Sequence, residues 1–249
     1  IVSPWGAYCA ELLNIKHIIS AREYGVLDHN LYFYLGFENS MKALSDSSDH
    51  IFTISKDVAK TLFADSYDKI DTIYSSIYLP DDAYSMVENC IDNNDKIFKV
   101  GLFAAYQEGK GQIDLVNAAL ILLQKGLNYE FYFVGGGSTG IYFNKMNSCI
   151  LDSDFESKIH FIEYIDNPYD LMSQMNVIVS CSRNEALGRT LIEASLLEVP
   201  IVFPNFAGPS EVFENNIHGL SYTPGNSEEL ANCLVEIINN YEKAKNSRW

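Results

Sequence analysis

Short runs of β-branched and aromatic residues alternate with longer helical stretches from one end of this chain to the other. The alternation is typical of a parallel sheet wrapped by helices, because each strand must return through a crossover before it can pair with the next. We predict strands at 16–20, 50–55, 71–77, 97–104, 129–134, 159–164, 177–182 and 200–204, and helices at 56–64, 111–125, 167–175, 189–197, 209–214 and 227–241. The chain is therefore predicted to belong to the α/β class.

A polar, acidic segment at 81–95 separates two series of these elements. We place a domain boundary near Asp95, with one domain over 1–95 and a second over 96–249. The chain begins without Met and enters directly on a strand that leads into a helix. We therefore expect a fragment whose first domain is incomplete.

The balance of charges limits the partners of the chain. Its 33 acidic residues against 17 basic ones give a formal net charge of −16. This charge argues against nucleic-acid binding, which relies on Lys and Arg to neutralise phosphates. An anionic ligand must then be held locally.

Cysteine usage and hydropathy bear on the cellular setting. The five cysteines are odd in number and far apart, without the close pairs of a zinc site or the density of a disulfide scaffold. No apolar run reaches the length of a spanning helix, and the first residues lack the features of a signal peptide. A reducing, cytoplasmic setting fits these features best.

The densest functional signal is the segment SRNEALGRTLIEA at 182–194. A predicted strand ends near Ser182, Gly188 permits a tight turn, and a helix begins near Arg189. In a doubly wound sheet such a loop lies at the carboxyl ends of the strands, where ligands bind. The amides at the helix start form an anion site to which Arg189 adds charge, so a diphosphate could rest there.

Glu185 and Glu193 are separated by seven residues with a glycine between them, and this segment resembles the group 1 family of retaining, GT-B-fold glycosyltransferases. The similarity runs through 170–213 and includes the strand at Pro200 and the turn at 208–212. Acids at this spacing also occur as solvated helix charges, but the surrounding similarity favours the functional interpretation. The resemblance implies two Rossmann-like, doubly wound parallel-sheet domains, the first incomplete, with the donor in the cleft between them.

The resemblance also assigns roles to residues. Glu185 would meet the donor sugar as a catalytic residue, and Glu193 would accept hydrogen bonds from the ribose, which suits a carboxylate facing a vicinal diol. Arg22 is the second catalytic candidate, with a surface ion pair to Glu23 as its alternative. The residues expected to bind the donor are Glu193, Lys110, Arg189, Gly188, Leu187, Gly136 and Tyr164.

Several of these candidates have plainer alternatives. Lys110 could be a solvated lysine at a helix start, Gly136 part of a simple turn after a strand, and Tyr164 an ordinary aromatic at a strand end. The chain also departs from the family pattern, because Leu102 occupies the position of a phosphate-binding Arg and the loop at 105–109 is longer. The full phosphate clamp of the family is therefore not expected.

No cofactor or metal is expected. The histidines lack metal-ligand spacing, and the Asp-x-Asp sequence at 152–154 lies in a helical or loop-like segment, where we interpret it as a solvated loop. The amides at the helix start, with Lys110 and Arg189, could stabilise the departing diphosphate instead.

The resemblance implies transfer of a sugar, with retention, from a nucleoside diphosphate sugar to a glycan or lipid-linked acceptor, in cell-surface polysaccharide or glycan synthesis. We expect a cytoplasmic protein at the inner face of the membrane, with peripheral membrane contact through the part of the first domain that this chain lacks. Two alternatives stay open: a sugar-nucleotide epimerase of the same fold, and a non-catalytic module that binds nucleotide sugars. The fragment is expected to bind the donor but to turn it over poorly, because transfer needs acceptor and donor held together.

Overall fold

The computed structural model describes residues 5–29, 31–64, 67–80, 83, 97–137, 139–151, 153–241 and 244. The predicted boundary near Asp95, nearly all of the predicted linker at 81–95, and Asp152 lie outside these residues. The chain forms two compact units. The first comprises Ile1–Ser76, Asn184–Leu187 and Phe206–Val212, and the second comprises Ile77–Arg183, Gly188–Asn205 and Phe213–Trp249.

The first unit contains a small parallel sheet in the order β1-β2-β3. Its strands are β1 (Ile18–Ala21), β2 (His50–Thr53) and β3 (Ile70–Thr72). Its helices are α1 (Trp5–Leu13), α2 (Val26–His29), α3 (Phe37–Asp46), α4 (Lys56–Phe63) and, from the later segment, α9 (Ala207–Val212). The strand predicted at 71–77 is wrong beyond Thr72. Helix α1 agrees with the helix predicted near the start of the chain, whereas α2 and α3 were not predicted.

The described residues of the second unit form a sheet of six parallel strands. These are β4 (Phe98–Phe103), β5 (Tyr129–Val134), β6 (Ile159–Ile162), β7 (Val177–Val179), β8 (Ile201–Pro204) and β9 (Leu220–Tyr222). Its helices are α5 (Gln112–Gln124), α6 (Ile141–Leu151), α7 (Tyr169–Ser173), α8 (Arg189–Leu196) and α10 (Ser227–Asn239). Strand β9 and helix α6 were not predicted.

The strand order of the second sheet is β6-β5-β4-β7-β8-β9, and every neighbouring pair is parallel. Counted from β4, this is the order 3-2-1-4-5-6 of a Rossmann-type dinucleotide-binding sheet. The order reverses between β4 and β7, where Val100 pairs with Val177 and Gly101 with Ile178. The predicted α/β class with doubly wound parallel sheets is thereby confirmed.

The core of the second unit explains why its strands are rich in apolar residues. All residues of β7 and β8 are buried, as expected for a parallel sheet covered by helices on both faces. Phe131 and Phe133 of β5 pack with Leu115 and Leu122 of α5 in this core. Helix α10 packs against α5 and is capped by the preceding residue, Asn226, whose side chain accepts a hydrogen bond from the Glu229 amide at 3.1 Å.

The described cysteines fall into two pairs by exposure. Cys181 and Cys233 are buried in the second unit, and burial raises the pKa of their thiols to about 12 and about 11. Cys9 on α1 and Cys149 on α6 are exposed. Cys90 lies outside the described residues.

Candidate functional site

Two loops meet where the strand order of the second sheet reverses. One follows β4 and reaches Gly111, and the other follows β7 and leads to Gly188. The amide of Arg183 in the second loop donates to the Gly109 carbonyl in the first at 2.7 Å. In sheets of this kind ligands bind beside the carboxyl ends of the strands at the reversal, so these loops form the candidate site.

Gly111 allows the two loops to approach closely. Its φ is +64°, in the left-handed region, and it precedes the first residue of α5. A Cβ at this position would lie 2.1 Å from the carbonyl oxygen of Cys181. A glycine is therefore required here for both its conformation and its lack of a side chain.

Lys110 lies directly before this glycine. It is half-buried and ends a 3₁₀ turn, Glu108–Lys110, at the start of α5. The loop is held behind it by the Gln112 side chain, whose Nε2 donates to the Ala105 carbonyl at 2.7 Å. The structure thus places the lysine at the entry to a helix beside the reversal of the sheet.

Gly188 begins α8 with a φ of +88°. A glycine brings no side-chain acceptor to cap the helix, and no side-chain cap is present there. The first-turn N–H groups can then serve an anion, as helix N-termini commonly do. The side chain of Arg189, 62% exposed, adds a positive charge to this turn.

Glu193 lies one turn further into α8. Its side chain is 15% exposed, and its carboxylate is 3.8 Å from the Arg189 guanidinium. Burial raises the pKa of Glu193, and the nearby charge of Arg189 offsets only part of this rise. A carboxylate that has lost much of its hydration gains from new hydrogen-bond donors, so Glu193 can accept hydrogen bonds from the hydroxyl groups of a ligand.

Glu185 is half-buried in the loop between β7 and α8. Its backbone carbonyl accepts a hydrogen bond from Gly208 at 3.0 Å, and a Cβ on Gly208 would lie 2.2 Å from the Ala186 oxygen. These contacts place segment 184–187 in the first unit, together with α9. Leu187 is 2% exposed, so any contact that it makes with a ligand would come from its backbone.

Gly136 faces an aromatic ring. A Cβ there would lie 2.2 Å from the ring of Tyr106, whose hydroxyl donates to the carbonyls of Phe133 at 2.6 Å and Ile162 at 3.1 Å. Burial raises the pKa of Tyr106 to about 12. Sequence reasoning missed this tyrosine, although the lengthened loop that carries it was visible in the sequence.

The remaining candidates are exposed side chains. Tyr164 is 73% exposed. Arg22, in the first unit, is exposed and donates from Nη2 to the Ser75 hydroxyl at 3.1 Å. Leu102, expected from the resemblance to stand at a phosphate-binding Arg position, is fully buried in β4, so no cation lies at that position.

Sequence reasoning also gave no role to two acids that hold backbone amides. Asp114, buried in α5, accepts hydrogen bonds from Arg183 and from the Gly225 amide, both at 2.7 Å. In the first unit, Glu211 accepts hydrogen bonds from the amides of Lys56 at 2.9 Å and Asp57 at 2.6 Å. A pattern of local motifs could not reveal these pairs, because their partners are distant in the sequence.

The described part of the chain lacks two further features. It contains no group of three or more His, Cys, Asp or Glu side chains that could hold a metal ion. None of its helices is both long enough and apolar enough to cross a membrane.

Comparison with known proteins gives a family match. The family described as "Glycosyl transferases group 1" matches residues 88–248. The capsular polysaccharide biosynthesis glycosyltransferase CapM of Staphylococcus aureus is 25% identical over 142 residues, which are 57% of this chain and 37% of CapM. The poly(ribitol-phosphate) alpha-N-acetylglucosaminyltransferase of S. aureus strain COL is 27% identical over 127 residues, 51% of this chain and 25% of that protein. The chain thus spans well under half the length of these relatives.

A solved structure shows the same fold. Anabaena HepE in complex with UDP and glucose superimposes with a TM-score of 0.76 at 20% identity, covering 97% of this chain and 67% of HepE. The two parallel sheets match glycosyltransferase structures of the GT-B fold, which confirms the predicted fold class.

Proposed function

This chain belongs to the group 1 family of glycosyl transferases, and we propose that it carries the donor-binding part of an enzyme that transfers a sugar from a nucleoside diphosphate sugar. The observation that carries the proposal is the loop pair at the reversal of the 3-2-1-4-5-6 sheet, where Lys110, Gly188 and Arg189 lie on a chain of net charge −16. Because the chain spans only part of its relatives' length, we propose this activity for the whole protein.

The first step of the argument concerns the diphosphate. A chain this acidic repels an anion on average, so its binding depends on the local field of the site. The first turn of α8 offers backbone amides without a side-chain cap, and Arg189 and Lys110 add positive charge at two helix starts. We propose that Gly188 and the backbone of Leu187 shape this turn around the diphosphate, without a metal.

The second step concerns the two sugars of the donor. The Glu193 side chain, which is largely buried one turn into α8, would accept hydrogen bonds from the ribose hydroxyls. Glu185, eight positions earlier in the loop, would contact the transferred sugar. UDP and glucose in the HepE structure support a donor of this chemical class. Gly136 and Tyr164 would border the base, and Arg22 would face the transferred sugar.

The third step concerns the reaction. We propose transfer with retention at the anomeric carbon to a glycan or lipid-linked acceptor, in cell-surface polysaccharide synthesis at the inner face of the membrane. The names of the two S. aureus relatives, which refer to capsular polysaccharide and to poly(ribitol-phosphate), support an acceptor of this kind.

Calorimetric titration of the 249-residue chain with UDP, GDP and ADP tests the donor site. We expect one of the three to bind, and Glu193→Gln to raise its Kd about tenfold, as for a lost pair of hydrogen bonds to a charged acceptor. Glu228→Gln, at an exposed carboxylate in the first turn of α10, is the matched control and should bind like the wild type. Failure of all three nucleotides to bind would refute the proposed site.

Product analysis of the whole protein tests the reaction. We expect an acceptor-dependent product whose new bond keeps the configuration of the donor sugar, with a rate that EDTA does not change. Glu185→Gln should lower the rate of transfer and leave the affinity for the free nucleoside diphosphate unchanged. Conversion of the sugar without an acceptor would indicate an epimerase, and binding without either reaction would indicate a non-catalytic module.

A further inference from the structure

Asp114 is a carboxylate almost without solvent contact, with 3% of the residue exposed, in the first turns of α5. Its Oδ1 accepts a hydrogen bond from Arg183 Nη2 at 2.7 Å. Its Oδ2 accepts one from the Gly225 amide at 2.7 Å and a longer one from the Tyr222 hydroxyl at 3.4 Å. A buried carboxylate strongly destabilises the folded state unless such donors satisfy it, so Asp114 depends on these contacts.

The partners of Asp114 come from different loops of the second unit. Arg183 belongs to the loop after β7, and Gly225 to the loop between β9 and α10. Asp114 itself follows the loop after β4, and its own amide donates back to the Gly111 carbonyl at 2.9 Å. One carboxylate therefore fixes three chain segments at the carboxyl ends of the strands.

Arg183 carries this constraint into the candidate site. Its guanidinium is held by Asp114, while its backbone amide donates to the Gly109 carbonyl at 2.7 Å, one residue before Lys110. Five positions after Arg183, Gly188 begins α8. The position of the guanidinium thus sets the separation between the segment of Lys110 and the segment that leads to α8.

The charges of the pair point to a structural use of the arginine. The positive charge of Arg183 lies against the negative charge of Asp114, so the pair adds little net field at the site. The charge that meets a diphosphate then comes from Lys110, Arg189 and the helix amides. Because its guanidinium is bound to Asp114, Arg183 is suited to hold the loops in place.

We infer that Asp114 is a positioning residue, which through Arg183 holds the loops after β4 and β7 at the separation that a nucleoside diphosphate requires. The inference rests on the proposed function, because it takes the ligand from there. A site whose loops are fixed before binding loses less entropy on binding, and small displacements of such groups are costly.

Calorimetry with UDP and the 249-residue chain tests the inference. Asp114→Asn keeps the shape of the side chain but replaces one carboxylate oxygen with an NH₂ group. This group is a donor, and it would face the donor of Arg183 or of Gly225 without forming a hydrogen bond. We expect its Kd for UDP to rise about tenfold or more. Hydrogen exchange at the amides of Arg183 and Gly225 should become faster in the absence of UDP.

Asn176→Ala is the matched control. Asn176 is also buried in the second unit and accepts a hydrogen bond from the Lys99 amide at 2.7 Å, but it lies before β7, at the opposite ends of the strands. We expect it to lower the melting temperature as Asp114→Asn does and to leave the Kd for UDP unchanged. A separation of affinity from stability identifies positioning, since a general loss of structure would move both together.

The outcomes are distinct. Wild-type affinity in Asp114→Asn, or an equal loss in Asn176→Ala, would overturn the inference while the proposed function stands. If the wild type binds GDP or ADP instead of UDP, the same comparison is made with that nucleotide. If it binds none of the three, the proposed function and the inference are overturned together. If Asp114→Asn fails to fold, Arg183→Lys at a partly exposed side chain decides, and an unchanged Kd in that variant would overturn the inference.

Discussion

The two units of this chain bury their sheets to different extents. No residue in the six strands of the second unit is exposed, whereas β1 in the first unit alternates exposed and buried residues, with Ile18 58% exposed. The first unit also exposes large side chains on its helices and loops, among them Trp5, Leu12, Leu13, Tyr32 and Tyr34. Most of the candidate donor-binding residues therefore lie near the ends of strands in a sheet that has no exposed residues.

A cavity in each core should show the difference most strongly. Phe133→Ala in β5 removes a fully buried ring from the large core, and we expect a loss of about 3–5 kcal/mol in the free energy of unfolding. Ile51→Ala in β2, equally buried, should cost less, because the small sheet around it can relax. Urea denaturation followed by circular dichroism, with hydrogen exchange to locate the loss, measures both. A larger loss for Ile51→Ala would contradict the comparison.

The close approach of loops in the second unit predicts a large effect at one glycine. Gly111→Ala combines a left-handed backbone with a Cβ 2.1 Å from the Cys181 oxygen, and we expect a loss of about 3 kcal/mol. Gly126→Ala is the control, because Gly126 has a φ of +74° but open space around its Cβ, and about 1 kcal/mol should be lost. Equal melting temperatures in the two variants would show that the loops can separate without cost.

In the first unit a carboxylate compensates for the small core. Glu211 accepts hydrogen bonds from two amides at the start of α4 and from the Tyr74 hydroxyl at 2.9 Å. We expect Glu211→Gln to destabilise the first unit by about 1–2 kcal/mol. The exposed Glu214→Gln serves as the control. Hydrogen exchange should become faster in α4 and stay unchanged in β4, and protection lost in both would refute a local role.

The smallest effect concerns Glu193, whose pKa is raised by burial more than Arg189 lowers it. A carboxyl group with a raised pKa in the folded state penalises folding once it ionises, so the penalty is absent at low pH and grows as the pH rises through its folded-state pKa. Without ligand, Glu193→Gln should therefore raise the melting temperature slightly at pH 7 and leave it unchanged at pH 3. A melting temperature lowered at pH 7 would show that the attraction to Arg189 dominates.

The sequence predicts the regular part of this structure better than its edges. The strands β4, β5, β7 and β8 were found because they are apolar runs of a buried parallel sheet, interrupted only by Lys99 in β4 and Glu130 in β5. Helix α6 was missed because it buries only Met146 and Ile150, and β9 because it has three residues with one buried. Weakly patterned elements are fixed by packing against the rest of the unit.

The candidate site shows the same limit. The order of loop, glycine and helix around Gly188 was predicted from residues close together in the chain. The contact of Tyr106 with Gly136 joins residues from separate loops, and the hydrogen bond of Asp114 with Arg183 joins residues 69 positions apart. Such contacts depend on the strand order, which alternation alone does not determine.

The exposed thiols offer a spectroscopic use of this chain. Cys9 lies on the first unit and Cys149 on the second, whereas Cys181 and Cys233 are buried with high thiol pKa values and should react slowly with maleimides at neutral pH. Once Cys90 is replaced by serine, a donor and an acceptor fluorophore can be attached at the two exposed positions. Energy transfer between them would then measure the distance between the two labelled positions in solution, with and without ligand.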